Sequence, residues 1–115
     1  MDNAWEEHSG ESERRMGTGG LLLEALDGAE RRKSNIDDGK MALLVKHVGQ
    51  FGAHGVAKRA GFKKGDILVA FHGRDDLNSE TALLAHAMQH TKPGQQIPVT
   101  VVRGAARIDL QLKMQ

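Results

Sequence analysis

The stretch that decides the fold reads Ala60-Gly-Phe-Lys-Lys-Gly-Asp-Ile-Leu-Val-Ala-Phe-His-Gly73. Its centre is an unbroken apolar run from Ile67 to Phe71, which is typical of a strand that is buried on both faces. Turn signals bound the run. Lys63-Lys-Gly65-Asp66 precedes it, with Gly65 predicted at positive φ, and His72-Gly73 follows it as a tight turn. The stretch therefore predicts a short buried strand between two glycine-containing turns.

Strands and helices alternate on both sides of this stretch. Leucine and valine runs predict the strands, and capping residues predict the ends of the helices. Two alternating strands at the C-terminus favour an α+β fold with a mainly antiparallel sheet. The predicted elements are, in order, a strand at 21–26, a helix capped by Asp27 and running to about Ser34, a strand at 41–48, a short helix at 56–60 ended by Gly61, the strand at 66–71, a long helix capped by Ser79 and running to about His90, and strands around 97–101 and 108–114 joined at Gly104-Ala105.

Residues 1–15 differ in composition from the rest of the chain. They are rich in charged side chains and contain one large apolar residue, Trp5. Such a segment buries too little surface to offset its ordering entropy, so we predict a flexible linker or tail, or a frayed helix. The N-terminal residues do not show the basic start and following apolar stretch that a signal peptide has, so we predict no signal peptide there. We expect one domain at residues 16–115, cut from a longer protein.

Composition excludes several classes of function. The net charge is +1 and aromatic residues make up 3% of the chain, which disfavours nucleic acid as a partner. The sequence has no Cys, which removes disulfides, thiol catalysis and Cys-ligated zinc. No apolar run is long enough for membrane insertion.

The quoted stretch resembles the signature of PDZ domains attached to bacterial HtrA-type, trypsin-like serine proteases. That signature is an alanine-glycine pair, a turn with Gly-Asp, a buried strand and a residue-Gly turn. Lys92-Pro-Gly94 before an alternating strand adds to the resemblance, which covers residues 17–114. It implies a small, mainly antiparallel, partly open β-barrel or sandwich capped by two helices, in the circularly permuted bacterial arrangement. It also implies a periplasmic or exported protein.

The resemblance places a peptide site between the first strand and the long helix. A peptide would add as a strand to the sheet edge, and backbone N–H groups of the glycine loop would hold its terminal carboxylate. Alternate strand residues share a face, so Leu21 and Leu23 would point into the pocket. Family members usually carry a bulky apolar residue where Gly19 stands, and the softer loop predicts weaker binding. The predicted peptide-binding residues are Thr18, Gly19, Gly20, Leu21, Leu22, Leu23, Leu84 and Met88.

The sequence supports a catalytic, metal or phosphate site less well than it supports the peptide site. The Gly-Thr-Gly-Gly loop lacks the spacing of a dinucleotide or P-loop motif, although a phosphate cradle and a plain strand-entry turn stay open as alternatives. His86 and His90 have zinc-compatible i, i+4 spacing, but Ala87 stands where a metalloprotease helix has Glu, and a solvent-facing pair is favoured. No serine lies in a nucleophile elbow. We predict no catalytic residue, no metal and no cofactor.

Two functions from different classes follow. The first is a non-catalytic module that recognises C-terminal or extended apolar peptide segments, or unfolded protein segments, as the regulatory or substrate-recognition domain of a larger serine protease. The second is a structural domain that packs against its own chain or another subunit of its parent protein, with the groove filled internally, for example by a helix or strand from residues 1–15. The resemblance also implies the parent protease domain as a partner. A small enzyme is the least supported reading.

Overall fold

The computed structural model of the chain describes residues 20–37, 39–49 and 55–114. Within these ranges it contains one five-stranded antiparallel sheet, in the order β1-β2-β3-β4-β5, and three helices. This is the predicted order of elements, and the α+β class is confirmed. None of the described helices is long and apolar enough to cross a membrane. The elements are β1 (Leu21–Ala25), α1 (Gly28–Lys33), β2 (Leu43–Val48), α2 (Val56–Ala60), β3 (Ile67–Phe71), α3 (Glu80–His90), β4 (Gln96–Arg103) and β5 (Ala106–Lys113).

Capping residues start and end the helices where the sequence predicts. The Asp27 Oδ1 atom accepts from the N–H of Glu30 at 2.8 Å, and the Ser79 Oγ atom accepts from the N–H of Ala82 at 3.0 Å. Each of these bonds satisfies a donor that the helix leaves unpaired in its first turn. Gly61 ends α2 at φ 107°, a conformation that glycine adopts without strain.

Turn residues set the connections between the strands. His72 and Gly73 have φ 54° and 77°, which confirms the tight turn after β3. The β4–β5 hairpin pairs without interruption from Gln96 opposite Lys113 to Arg103 opposite Ala106. The strand boundaries differ from the prediction by one or two residues. The strand predicted from Met41 begins at Leu43, and Met41 and Ala42 lead into it with fully buried side chains.

The main core lies between the sheet and α3. Apolar side chains from all five strands meet there with Leu83, Leu84 and Ala87 of α3. Phe62 and Phe71 are among the largest fully buried side chains. A second, smaller cluster of Ile36, Ala42 and Val69 packs separately from the main core. Sequence alternation in β1 assigns Leu21 and Leu23 to the main core, because alternate residues of a strand share a face.

Candidate functional site

Strand β1 forms one edge of the sheet. Within the described residues it pairs with β2 on one side, and its other edge faces α3. The register shifts between Leu22 and Leu23, where β2 carries one extra residue, Lys46, opposite β1. Bulges bend a strand and redirect its groups, and they are frequent next to functional sites. The side of β1 that carries no strand partner among the described residues is therefore one place where a further strand can add to this sheet, and it is the one that α3 faces.

Helix α3 covers this edge with an apolar middle and a polar end. The Glu80 Oε2 atom accepts a hydrogen bond of 2.7 Å from the backbone N–H of Leu23. Leu84, one helical turn beyond Glu80, is 9% exposed and belongs to the same core cluster as Leu21 and Leu23. We call the region formed by Leu21, Leu23, Glu80 and Leu84 the β1–α3 seam.

The seam contains only part of the set of residues predicted to bind peptide. Leu22 is half-buried, and Gly20 is buried with φ 98°. Met88 lies one turn beyond Leu84 and is 85% exposed, so it stands on the open surface of α3. Thr18 and Gly19 lie outside the described residues, as does the segment 1–15. The structure thus unites Leu21, Leu23 and Leu84 and leaves Met88 at the solvent side.

The family of the chain follows from sequence comparison. A family model described as a PDZ domain matches residues 35–114. The chain belongs to the PDZ domain family. The matched range includes α3 and every strand except β1, so the seam joins a matched helix to a strand that lies before the match. No curated protein sequence matches the chain.

Solved structures show the same fold. A form of the HtrA-type protease AlgW with a decapeptide is 21% identical, with a TM-score of 0.69, over 84% of this chain and 27% of that one. The HtrA3 PDZ domain bound to the phage-derived ligand FGRWV is 17% identical, with a TM-score of 0.62, over 84% and 82% of the two chains. A serine endoprotease from Yersinia pestis is 21% identical, with a TM-score of 0.51, over 76% and 34%. This PDZ domain therefore spans about a quarter of the length of the AlgW chain.

Glu80 is the seam residue that sequence reasoning missed. Its i, i+4 spacing to Leu84 places both side chains on one face of α3, and that spacing was a usable signal. An acidic residue in the first turn of a helix is also favoured by the helix dipole alone. The spacing therefore indicates that Glu80 shares a face with Leu84, but it does not show that this face contacts β1, since Glu80 and Leu23 are 57 positions apart.

Three histidines cluster at the other end of α3. The expectation of a solvent-facing pair is wrong for His86, which is 9% exposed and has its Nε2 atom 3.1 Å from the Nδ1 atom of His72. The rings of His86 and His90 lie 4.7 Å apart, centroid to centroid. Burial, then the neighbouring His90 and His72, lower the pKa of His86. Packing of α3 over the end of β3, where Phe71 meets the His86 ring edge-on, explains the burial.

The histidine cluster is not arranged as a metal centre. Within the part of the chain that the structure describes, no group of three or more His, Asp or Glu side chains is placed to hold a metal ion. The contact between His72 and His86 is instead a hydrogen bond between two rings, which requires that at least one of them is neutral. The cluster is therefore best described as a titratable contact within the fold.

Proposed function

We propose that this PDZ domain is a non-catalytic module that binds an extended or C-terminal apolar peptide segment at the β1–α3 seam. The observation that carries the proposal is the edge of β1, where the N–H of Leu23 points away from β2 and toward α3. An added strand gains affinity from main-chain hydrogen bonds to such an edge, and pockets for alternate side chains give selectivity.

Each predicted site residue has a role in this proposal. Leu21, Leu22 and Leu23 supply the backbone edge, and Leu84 supplies the apolar wall opposite. Met88 extends that wall outward, where its flexible thioether suits a variety of side chains. Thr18, Gly19 and Gly20 offer backbone N–H groups to the terminal carboxylate of a ligand, and the positive φ of Gly20 suits such a turn.

The solved relatives support the proposal and extend it to a parent protein. Two forms of AlgW carry peptides, and the HtrA3 PDZ domain carries FGRWV. By the same likeness we propose that the domain belongs to a larger, periplasmic or otherwise exported protein, in which it regulates a trypsin-like serine protease domain or presents substrate to it.

Fluorescence anisotropy with labelled FGRWV, and with the same peptide amidated at its C-terminus, tests the binding proposal. We expect saturable binding that amidation weakens. Binding that ignores amidation would mean that internal segments are recognised by strand addition. No binding of either peptide by the folded 115-residue chain would overturn the proposal.

A surface substitution on α3 tests where the peptide lies. Met88→Glu places a charge on the proposed outer wall without touching the core, since Met88 is 85% exposed. We expect affinity for FGRWV to fall by roughly fivefold or more, because an apolar contact is replaced by a charge. Gln89→Glu is the matched control, since it adds the same charge at the next exposed position of α3, and it is expected to change affinity by less than about twofold.

The structural alternative also has an observation in its favour. The seam is already tightly packed, with Leu21 1% exposed and Leu84 9% exposed, and the Leu23 N–H already has an acceptor. A domain with an occluded groove would show this closure permanently. In that case both peptides fail to bind, and Met88→Glu and Gln89→Glu behave alike.

A further inference from the structure

The hydrogen bond between Glu80 and Leu23 stands where a ligand strand would bind. Leu23 lies on the edge of β1 that has no strand partner in the described residues, and its N–H donates to the Glu80 Oε2 atom at 2.7 Å. A strand that adds to this edge must place a backbone carbonyl in the same position. The carboxylate therefore mimics the first carbonyl of the missing strand.

This contact is stronger than an ordinary amide–carbonyl bond. Hydrogen bonds from N–H to an ionised carboxylate are shorter and about twice as strong as neutral ones. The seam around it is well buried, since Leu23 is 5% exposed and Leu84 is 9% exposed. Low exposure weakens competition from water, so the bond persists in the unliganded domain.

The position of Glu80 allows the carboxylate to leave without unfolding the helix. Glu80 is the first residue of α3, and the start of the helix is held independently by Ser79, whose side chain caps Ala82. The Glu80 side chain is half-buried, so a change of rotamer moves the carboxylate out to water. The helix dipole favours a carboxylate near this terminus in either position.

We propose that Glu80 is an internal competitor that holds the edge of β1 in the unliganded domain, and that a peptide binds by displacing its carboxylate from the Leu23 N–H. The inference rests on the proposed function, because it assigns a regulatory contact to the same seam. The domain thereby protects an otherwise open strand edge and admits only ligands that replace the contact. Edge strands without such protection are templates for unwanted pairing.

The test compares affinities for labelled FGAWV, a peptide without a charged side chain that would interact with Glu80 directly. Glu80→Ala removes the competitor and is expected to tighten binding about tenfold, the range expected for a lost hydrogen bond to a charged group. Glu24→Ala is the matched control. It removes the same charge from an exposed site on β1, where Glu24 pairs with Lys46 at 3.4 Å, and it is expected to leave affinity within about twofold.

A second readout does not depend on the ligand. Amide hydrogen exchange of the Leu23 N–H, followed by NMR, is expected to accelerate in Glu80→Ala and to stay unchanged in Glu24→Ala, because only the first variant removes its acceptor. Glu80→Gln keeps an acceptor oxygen of the same reach, and we expect both its affinity and its exchange rate to lie between those of the unaltered domain and Glu80→Ala.

The outcomes separate this inference from the proposed function. If the unaltered domain binds FGAWV and Glu80→Ala binds it no more tightly, the competitor role of Glu80 is overturned, whereas the proposal of peptide binding stands. If Glu80→Ala and Glu24→Ala tighten binding equally, the effect is net charge, and the competitor is again overturned. If neither the unaltered domain nor Glu80→Ala binds any peptide, the proposed function fails and the inference fails with it.

Discussion

Asp66 and its ion-pair partner Arg103 hold the turn before β3 through four hydrogen bonds. The carboxylate is 1% exposed, accepts from the N–H of Lys63 at 2.9 Å, and accepts two bonds from Arg103 at 2.8 and 2.7 Å. Arg103 also donates to the carbonyl of Gly61 at 2.8 Å. A bidentate pair of this kind joins the end of α2, the turn and β4 with defined geometry.

We expect Asp66→Ala to lower the free energy of unfolding by about 3 kcal/mol, because it leaves the N–H of Lys63 and the guanidinium of Arg103 without their acceptor. Urea denaturation measures the loss. Asp75→Ala is the control, since it breaks the exposed pair with Lys40, where both side chains are 57% exposed, and such pairs are worth less than about 1 kcal/mol. Equal losses in the two variants would show that the buried pair has no special role.

At the scale of the element, α3 depends on its first turn. Ser79 supplies the side-chain acceptor for the N–H of Ala82 at 3.0 Å. We expect Ser79→Ala to lower the free energy of unfolding by about 1 kcal/mol, the usual value of a lost N-cap. Thr81→Ala, at an exposed position in the same turn, is expected to be neutral or slightly stabilising, because alanine has the higher helix propensity. Thermal unfolding of both variants checks this, and a loss that is the same in both would rule out a capping role.

The elements themselves follow from short-range chemistry, and for that reason the sequence predicts them. Asp27 and Glu30 start α1, Gly61 ends α2, and the glycine after His72 turns the chain out of β3, each through contacts within a few residues. The start of β2 is predicted two residues early, because Met41 and Ala42 are apolar and extend the apolar run of the strand. Both side chains are fully buried, but packing and not strand pairing buries them. Burial is a tertiary property that local patterns do not specify.

The candidate site was less accessible to prediction, because its two informative contacts join distant residues. Leu23 meets Glu80 across 57 positions, and His72 meets His86 across 14. The family resemblance named β1 and Leu84, which are apolar and lie in recognisable elements. It did not single out Glu80, and it did not predict that His86 is buried. The contact of Glu80 and the burial of His86 both depend on how α3 is rotated and packed against the sheet.

Considered as a whole, the molecule holds α3 to the sheet at both ends. Glu80 contacts β1 at the N-terminal end, while His86 near the C-terminal end contacts His72 in the turn after β3. Between them Leu83, Leu84 and Ala87 fill the main core. Since α3 forms one side of the proposed peptide site, a weakening of either end is expected to reduce the stability of the domain and to alter the seam.

The histidine cluster of His72, His86 and His90 makes the stability of the domain depend on pH. Burial, then His90 and His72, lower the pKa of His86, with Arg74 adding to the lowering and Asp76 opposing it. A histidine whose pKa is lower in the folded state binds fewer protons there than in the unfolded chain. Stability therefore rises with pH through this range, and falls as the pH drops below the unfolded value of about 6.5.

We expect the melting temperature to fall on acidification from about pH 7.5 to about pH 5, and the fall to become smaller in His86→Gln, which cannot take up a proton. Protonation places a charge inside the packed contact with Phe71 and His72, so the effect belongs to the docking of α3 as a unit. His47→Gln, at an exposed position of β2, is the control and should keep the full slope. Because His86→Gln also changes packing, the comparison uses the slope of stability against pH and not its absolute value. Identical slopes in the two variants would place the pH dependence elsewhere in the molecule and remove His86 from the account.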